Sequence, residues 1–440
     1  MSTLNSFSER MNRLLFFFFH ILLFLFAFRF LKPSIIFSLM VMLMIWIAYA
    51  AKIYPIPKHR DFLFLCLTFI SYFFIDQIHH GAFDLVYLLS QAFHLLSMPL
   101  AYWMGWMLIH AQPSDNKDAT FQRTIYLVAG GGATYAFLSH MKKLLFPDLY
   151  YLAFSASDFS KLGIESHVAK RSVMDLWNNN IIVATEYNMH YLYLIALIPL
   201  IFFSDKRNIR LYLTFSAILT IWATYVTGSR SNVMLILLSI LFGLWYKKYR
   251  DTLHTNLLKS NSEIVGNSHL RILISILAIF VVIAGLVVAI DASNILDQSL
   301  MFKQKGFGIQ EILYDPRWTF AFEVLKNLRY QPFGNMVIDW AHNVWLDVAH
   351  EVGIIPMIFL LIFSFHNIKL VKTIWLKFEW KSTSRLIALS TIFLINISFF
   401  LEPVIKGSTQ HFLFYSLIIG MLNGYIEATA KSEEHCKQDV

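Results

Sequence analysis

The chain has 440 residues, 57% hydrophobic and 15% charged, with a formal net charge of +8 and a mean hydropathy of +0.56. A soluble domain sits nearer half apolar and a quarter charged, and the excess here is gathered into runs of 17–25 apolar residues, long enough to cross a bilayer as helix. This excludes a soluble enzyme, a disordered chain and a disulfide scaffold, and the lack of strict polar–apolar alternation argues against a membrane barrel.

The predicted elements are about twelve spans, near 14–31, 34–51, 61–78, 84–110, 122–140, 181–203, 210–227, 232–247, 271–290, 343–368, 385–401 and 409–427. Arg10 and Arg13 precede the first, and Ala-Phe-Arg-Phe-Leu-Lys after it offers no small-residue cleavage site, so it reads as an uncleaved helix. Cys66 lies inside the third span and Cys436 in the polar tail, so no structural disulfide is expected. His20, His94 and His190 fall within spans and read as packing histidines. Gly130-Gly131-Gly132 in the fifth span suits close helix packing. The span centres carry almost no Asp, Glu, Lys or Arg, and no paired short, Gly/Pro-broken spans mark a transporter midplane.

Of the 36 Lys and Arg residues, 22 fall in one alternating set of mostly short loops, from Arg10/Arg13 through Lys206/Arg207/Arg210 to Lys431/Lys437. The positive-inside rule places that side, with both termini, in the cytoplasm. Most of the other basic residues gather at Arg230 and in two long external segments, 141–180 and 291–342, with Arg29, Lys32 and Lys406 in short external connections. Long external segments are exempt from the charge rule, so a basic cluster there needs its own reason. Both contain amphipathic stretches with Trp and Tyr, such as Tyr314 to Tyr330, suited to lying on the membrane face. The expected architecture is all-α, a single polytopic membrane domain over 1–440 with an external cap of amphipathic helices.

Three polar elements sit at external span ends. In Thr227-Gly228-Ser229-Arg230-Ser231 one helix ends and the next begins. Ser229 or Ser231 could cap the backbone amides, and Arg230 beside a helix N-terminus reads equally as an anion site or as a lipid-headgroup contact. In Asp315-Pro316-Arg317-Trp318, Pro316 fits the first helical position and Asp315 the cap, with Gln331-Pro332-Phe333-Gly334 following. The third is His342-Asn343, opening a span that contains Trp345, Asp347, Glu351 and Gly353. Read as helix, Glu351 lies about 180° from His342 and does not orient it directly.

In this order, Gly228-Ser229-Arg230, Arg317-Trp318 ahead of Pro332-Phe333-Gly334, and His342-Asn343-Val344-Trp345-Leu346 running into Glu351-Val352-Gly353 resemble the O-antigen ligase/polymerase superfamily of bacterial membrane glycosyltransferases. Weaker agreement extends upstream through Asn188 to Pro199-Leu200. The resemblance implies an inner-membrane protein with its site facing the periplasm. Its donor would be a glycan linked to undecaprenyl diphosphate, and its acceptor lipid A-core or a second lipid-linked glycan. Carried over, Arg230 and Arg317 hold the diphosphate and His342 takes the acceptor proton. Arg171, Asn343 and Glu351 are possible supporting residues.

Attack of a sugar hydroxyl on an anomeric carbon bearing diphosphate needs a base and charge stabilisation of the leaving group, which arginines can supply. The chain has no Asp-x-Asp, and His79-His80 and His350-Glu351 lack ligand spacing. The expectation is therefore inverting transfer with no metal and no cofactor, on membrane-lipid-borne substrates and not on nucleic acid. Ligase and polymerase both remain open, with ligase preferred although the short stretch from Arg317 to His342 leans toward polymerase. A polysaccharide exporter or permease is the reading from a different class.

Overall fold

The computed structural model describes residues 2–30, 32–50, 56–81, 85–113, 116–164, 166–204, 207–227, 229–257, 316–337, 342–377, 382–401 and 409–438. These are overwhelmingly helical. In chain order the helices are α1 (Ser2–Ala27), α2 (Pro33–Ala50), α3 (Arg60–His80), α4 (Leu85–His110), α5 (Lys117–Leu145), α6 (Pro147–Ser155), α7 (His167–Arg171), α8 (Ala184–Met189), α9 (Leu192–Leu197), α10 (Arg207–Thr227), α11 (Arg230–Leu257), α12 (Pro316–Asn327), α13 (Val344–Val352), α14 (Ile354–Lys377), α15 (Ser382–Leu401) and α16 (Thr409–Gln438). Among the described residues, six segments have the length and composition to cross a membrane: Pro33–Ala50, Arg60–His80, Leu85–His110, Arg207–Thr227, Ile354–Trp375 and Thr383–Leu401. An all-α membrane protein is the result. The predicted span 271–290 lies outside the described residues.

The chain separates into two compact units, one of Met1–Leu138, Thr319–Ala388 and Phe399–Val440, the other of Ser139–Trp318 and Leu389–Ser398. In the first, α4 and α16 pack parallel with their backbones touching: contacts advance together along both helices, from His94 with Thr409 to Trp106 with Glu427. A Cβ on Gly105 would lie 1.9 Å from the Leu417 carbonyl oxygen, and one on Gly420 2.0 Å from that of Tyr102. Only small residues allow this approach, and in lipid such contact replaces the missing hydrophobic drive between helices. Gly131 plays the same part for α5, where a Cβ would meet Ala27 Cβ at 2.7 Å. Glu427 on α16 ties the start of α3 and the last turns of α4 to its own helix, accepting from Trp106 Nε1 at 3.1 Å and lying 3.2 Å from His59 Nε2. His20 bonds its own helix, with Nδ1 2.7 Å from Phe16 O, and His94 Nε2 lies 2.9 Å from Thr409 Oγ1, so both are hydrogen-bonded as expected.

In the second unit the predicted span 181–203 is not one helix. Ile181–Ile182 pairs as a strand, and α8, α9 and a 3₁₀ turn over Ile198–Phe202 follow in short pieces. Pro199 accounts for the last of these breaks, since it has no amide to give to the Ile195 carbonyl one turn earlier. Ser239 Oγ on α11 donates to Ile195 O at 2.6 Å, and Ser390 Oγ on α15 donates to Ala196 O at 2.8 Å. Broken backbone is tolerated in a protein interior when neighbours satisfy the carbonyls it releases. Residues Leu192 to Leu200 are buried, so protein surrounds the break.

The 141–180 segment has a small core of Tyr150, Phe154, Ala169 and Met174. The two-stranded hairpin here was not anticipated: Val173 pairs with Ile182 and Met174 with Ile181. Asp175 Oδ1 closes its turn by accepting from the Trp177 and Asn178 amides at 2.8 and 3.1 Å. The signal was present in Val-Met and Ile-Ile-Val flanking Asp175 and Asn178-Asn179-Asn180, turn residues between short β-prone runs.

Candidate functional site

His342, Asn343 and Glu351 belong to the first unit. The predicted span opening at His342 and running unbroken over 343–368 is corrected here: α13 starts at Val344, ends at Val352 and is followed by a separate α14. Asn343 is the N-cap, its side chain accepting from the Leu346 amide at 3.2 Å, while Asp347 Oδ2 accepts from the Asn343 amide at 3.1 Å. Such a cap is worth about 0.5–2 kcal/mol. His342 therefore stands outside the helix, half-buried, with φ +53°. A left-handed residue that is not glycine is uncommon, and such strain gathers at functional positions. Trp345 anchors the next turn, donating from Nε1 to Ser364 Oγ at 3.0 Å.

The helix stops at Gly353, φ +85°, because the Pro332–Met336 turn occupies the space where the helix would continue. The Asn335 amide donates to Glu351 O at 2.9 Å, the Met336 amide to His350 O at 3.2 Å, and the Ile354 amide to Pro332 O at 2.9 Å. Carbonyls that end α13 thus find partners in the turn. The approach needs glycine on both sides: a Cβ on Gly353 would lie 2.1 Å from Pro332 O, and one on Gly334 2.5 Å from the Glu351 carbonyl. Two motifs that the sequence shows as separate, Pro332-Phe333-Gly334 and Glu351-Val352-Gly353, are one backbone-bonded lock. His342 lies between its halves in the chain.

The Glu351 carboxylate accepts a hydrogen bond from the Tyr72 phenol on α3. Tyr72 was not foreseen as a site neighbour. It sits 279 residues away in sequence, inside an apolar span, with no local signal beyond being a polar-tipped residue there.

Arg171, Arg230 and Arg317 belong to the second unit. Arg230 is the first residue of α11, with Ser229 as its cap: the Asn232 amide reaches Ser229 Oγ at 3.3 Å. Pro316 opens α12 and Arg317 follows in its first turn. The side chains of Arg230 and Arg317, and Asp315, lie outside the described residues.

Arg171 ends α7 and donates from Nε to the Thr227 carbonyl, one of the last of α10. A cation at a helix C-terminus satisfies such a carbonyl and meets the dipole favourably. Thr227 Oγ1 in turn donates to Asn188 Oδ1 at 3.0 Å, and Asn188 Nδ2 to Ala184 O at 2.6 Å, all buried. Arg171 and Asn188 therefore converge on the residue just before Gly228-Ser229-Arg230.

Two further basic residues of this segment have structural reasons. Lys142 Nζ donates to the carbonyls of Asp175, Leu176 and Asn178 at 2.8, 3.2 and 2.9 Å. Lys143 Nζ donates to those of Ala169, Lys170 and Ser172 at 3.2, 2.9 and 2.6 Å, and lies 4.3 Å from the Tyr150 ring centroid. Burial pushes the Lys143 ammonium down to about 8. It lowers Lys142 as well, with Asp175 pulling the other way. Each lysine fills the three donor directions of an ammonium with carbonyls, stapling the 169–178 segment to the end of α5.

The first unit can thus present an imidazole on a strained backbone, and the second a capped helix N-terminus opened by an arginine. Among the described residues, no group of three His, Cys, Asp or Glu is placed to hold a metal ion. No family model matches the chain, and no curated protein does either.

Proposed function

We propose that the chain is an O-antigen ligase-type glycosyltransferase of the bacterial inner membrane, moving a glycan from undecaprenyl diphosphate to a hydroxyl of lipid A-core at the periplasmic face. The observation that carries this reading is His342, held at φ +53° beside the Asn343 cap and within the Pro332–Gly334 and Glu351–Gly353 lock. The ordered arginine motifs support it. In the reaction the acceptor oxygen bonds to the anomeric carbon as the bond from that carbon to diphosphate breaks. His342 takes the hydroxyl proton, and Arg230 and Arg317 meet the charge on the departing undecaprenyl diphosphate. Arg171 sets the turn that carries Arg230, and Glu351 supports the His342 side. About twelve spans with both termini in the cytoplasm and external segments 141–180 and 291–342 complete this layout.

The second reading is a polymerase of the same superfamily, favoured by the short connection from α12 through the Pro332 turn to His342. Deleting the gene and running the surface polysaccharide on a gel decides between them. Core without long chains, with lipid-linked polymer accumulating, means ligase; a single repeat on the core means polymerase. Unchanged surface polysaccharide refutes both. Movement of lipid-linked glycan across vesicles without transfer would point to an exporter.

A further inference from the structure

α3 and α4 are apolar spans, yet towards the end they share each carries a polar stripe. On α3 Tyr72, Asp76 and His80 recur every four residues; on α4 Tyr87 and His94 are seven apart, so each set lies on one helix face. The stripes meet. Tyr87 OH donates to Asp76 Oδ2 at 3.0 Å, and its ring lies 4.6 Å from that of His80. α13 adds Glu351, which accepts from Tyr72, and α16 adds Thr409 beside His94. Glu351 lies close enough to Tyr72, Tyr87 and His94 for its charge to reach all three, most strongly Tyr72, to which it is hydrogen-bonded. One polar seam therefore runs from half-exposed His80 to buried Tyr72. Ionisable groups within spans are costly and by default mark function.

Its chemistry narrows the ligand. The seam contains the carboxylates of Asp76 and Glu351, whose negative charge disfavours a phosphate. Carboxylates accept from hydroxyls, phenols and imidazoles both donate and accept, and the Tyr87 and His80 rings offer flat faces to an apolar ring face. Paired acceptors, mixed donors and aromatic faces match an uncharged polyhydroxylated ring. We propose that this seam is a sugar-binding subsite for the acceptor glycan, in the unit that also carries His342. The acceptor assignment rests on the glycosyltransferase reading; the sugar binding does not.

The test uses full-length protein in lipid nanodiscs and the lipid-free oligosaccharide released from the source bacterium's own lipopolysaccharide core. Binding is measured by calorimetry, and transfer is followed with donor and acceptor varied separately. Glu351→Gln and Asp76→Asn should each weaken oligosaccharide binding at least tenfold and raise the acceptor KM by a similar factor, leaving the donor KM in place. Tyr87→Phe, which removes one hydroxyl near the seam's open end and should fold normally, should weaken binding about two- to tenfold. Wild-type binding in all three variants overturns the seam, as does a shift in donor KM alone or no oligosaccharide binding by a wild type that transfers. Binding that needs the seam, by a wild type that transfers nothing, upholds the sugar site and refutes the glycosyltransferase reading.

Discussion

Gly353→Ala probes the lock that places His342. Gly353 has φ +85° and ψ −166°, a region held almost only by glycine and costing another residue about 1–3 kcal/mol. The added Cβ would lie 2.1 Å from Pro332 O and 2.5 Å from Phe333 Cα, backbone atoms that cannot turn aside as a side chain would. The turn must retreat, which breaks the bonds from the Asn335, Met336 and Ile354 amides at about 1 kcal/mol each. The expected loss is about 4–6 kcal/mol from strain and broken bonds together. Thermal unfolding of the purified protein in one detergent should show a clear fall in Tm, with new protease cleavage between 332 and 342. Gly334→Ala attacks the same contact from the other side, since its Cβ would lie 2.5 Å from the Glu351 carbonyl, so the double variant should cost less than the sum. Wild-type Tm and protease resistance in Gly353→Ala would refute the lock, and strict additivity would mean two unrelated contacts.

His342→Ala should leave folding intact and lower transfer by about 10²–10⁴-fold, the usual worth of a general base; wild-type turnover per folded molecule would leave His342 only a structural role. Arg230→Ala and Arg317→Ala should each cost about 2–5 kcal/mol in transfer, less than additively if they hold one diphosphate. Arg329, exposed and 6.0 Å from the Tyr330 ring centroid, is the control whose change to Ala should be nearly silent in the same assay. Lys143 sits at about 8 against an ordinary 10.5. Between those values the unfolded chain binds more protons, so stability should rise with pH from about 8 to about 10.5. Tm measured across that range should show the rise in wild type and a flatter curve in Lys143→Met; a flat wild-type curve refutes it.

Composition and hydropathy alone determine that this chain is an all-α membrane protein. Several boundaries were equally local. The apolar runs of α2, α3, α4 and α10 match their predicted spans to within a few residues, Ser229 caps α11, and Pro316 opens α12. Such features depend on residues within one turn of each other, so periodicity and capping chemistry suffice to read them.

The interruptions were only half legible: Pro199 and Gly353 mark where they fall, but apolar residues continue on both sides of each, and a lone Pro or Gly in an apolar run does not decide whether the helix ends. Whether a helix continues there depends on which distant groups can satisfy the carbonyls it would release. Ser239 and Ser390 do so at Ile195 and Ala196, and the Asn335 and Met336 amides do so at Glu351 and His350. The use of the basic residues was also tertiary. Lys142, Lys143 and Arg171 look alike as charges in an external loop, yet each is occupied by backbone carbonyls. Pairing of Tyr72 with Glu351 joins α3 to α13. A sequence states which groups need partners; in a low-dielectric interior an unmet polar group costs several times what it would in water, and only the packed chain decides who meets whom.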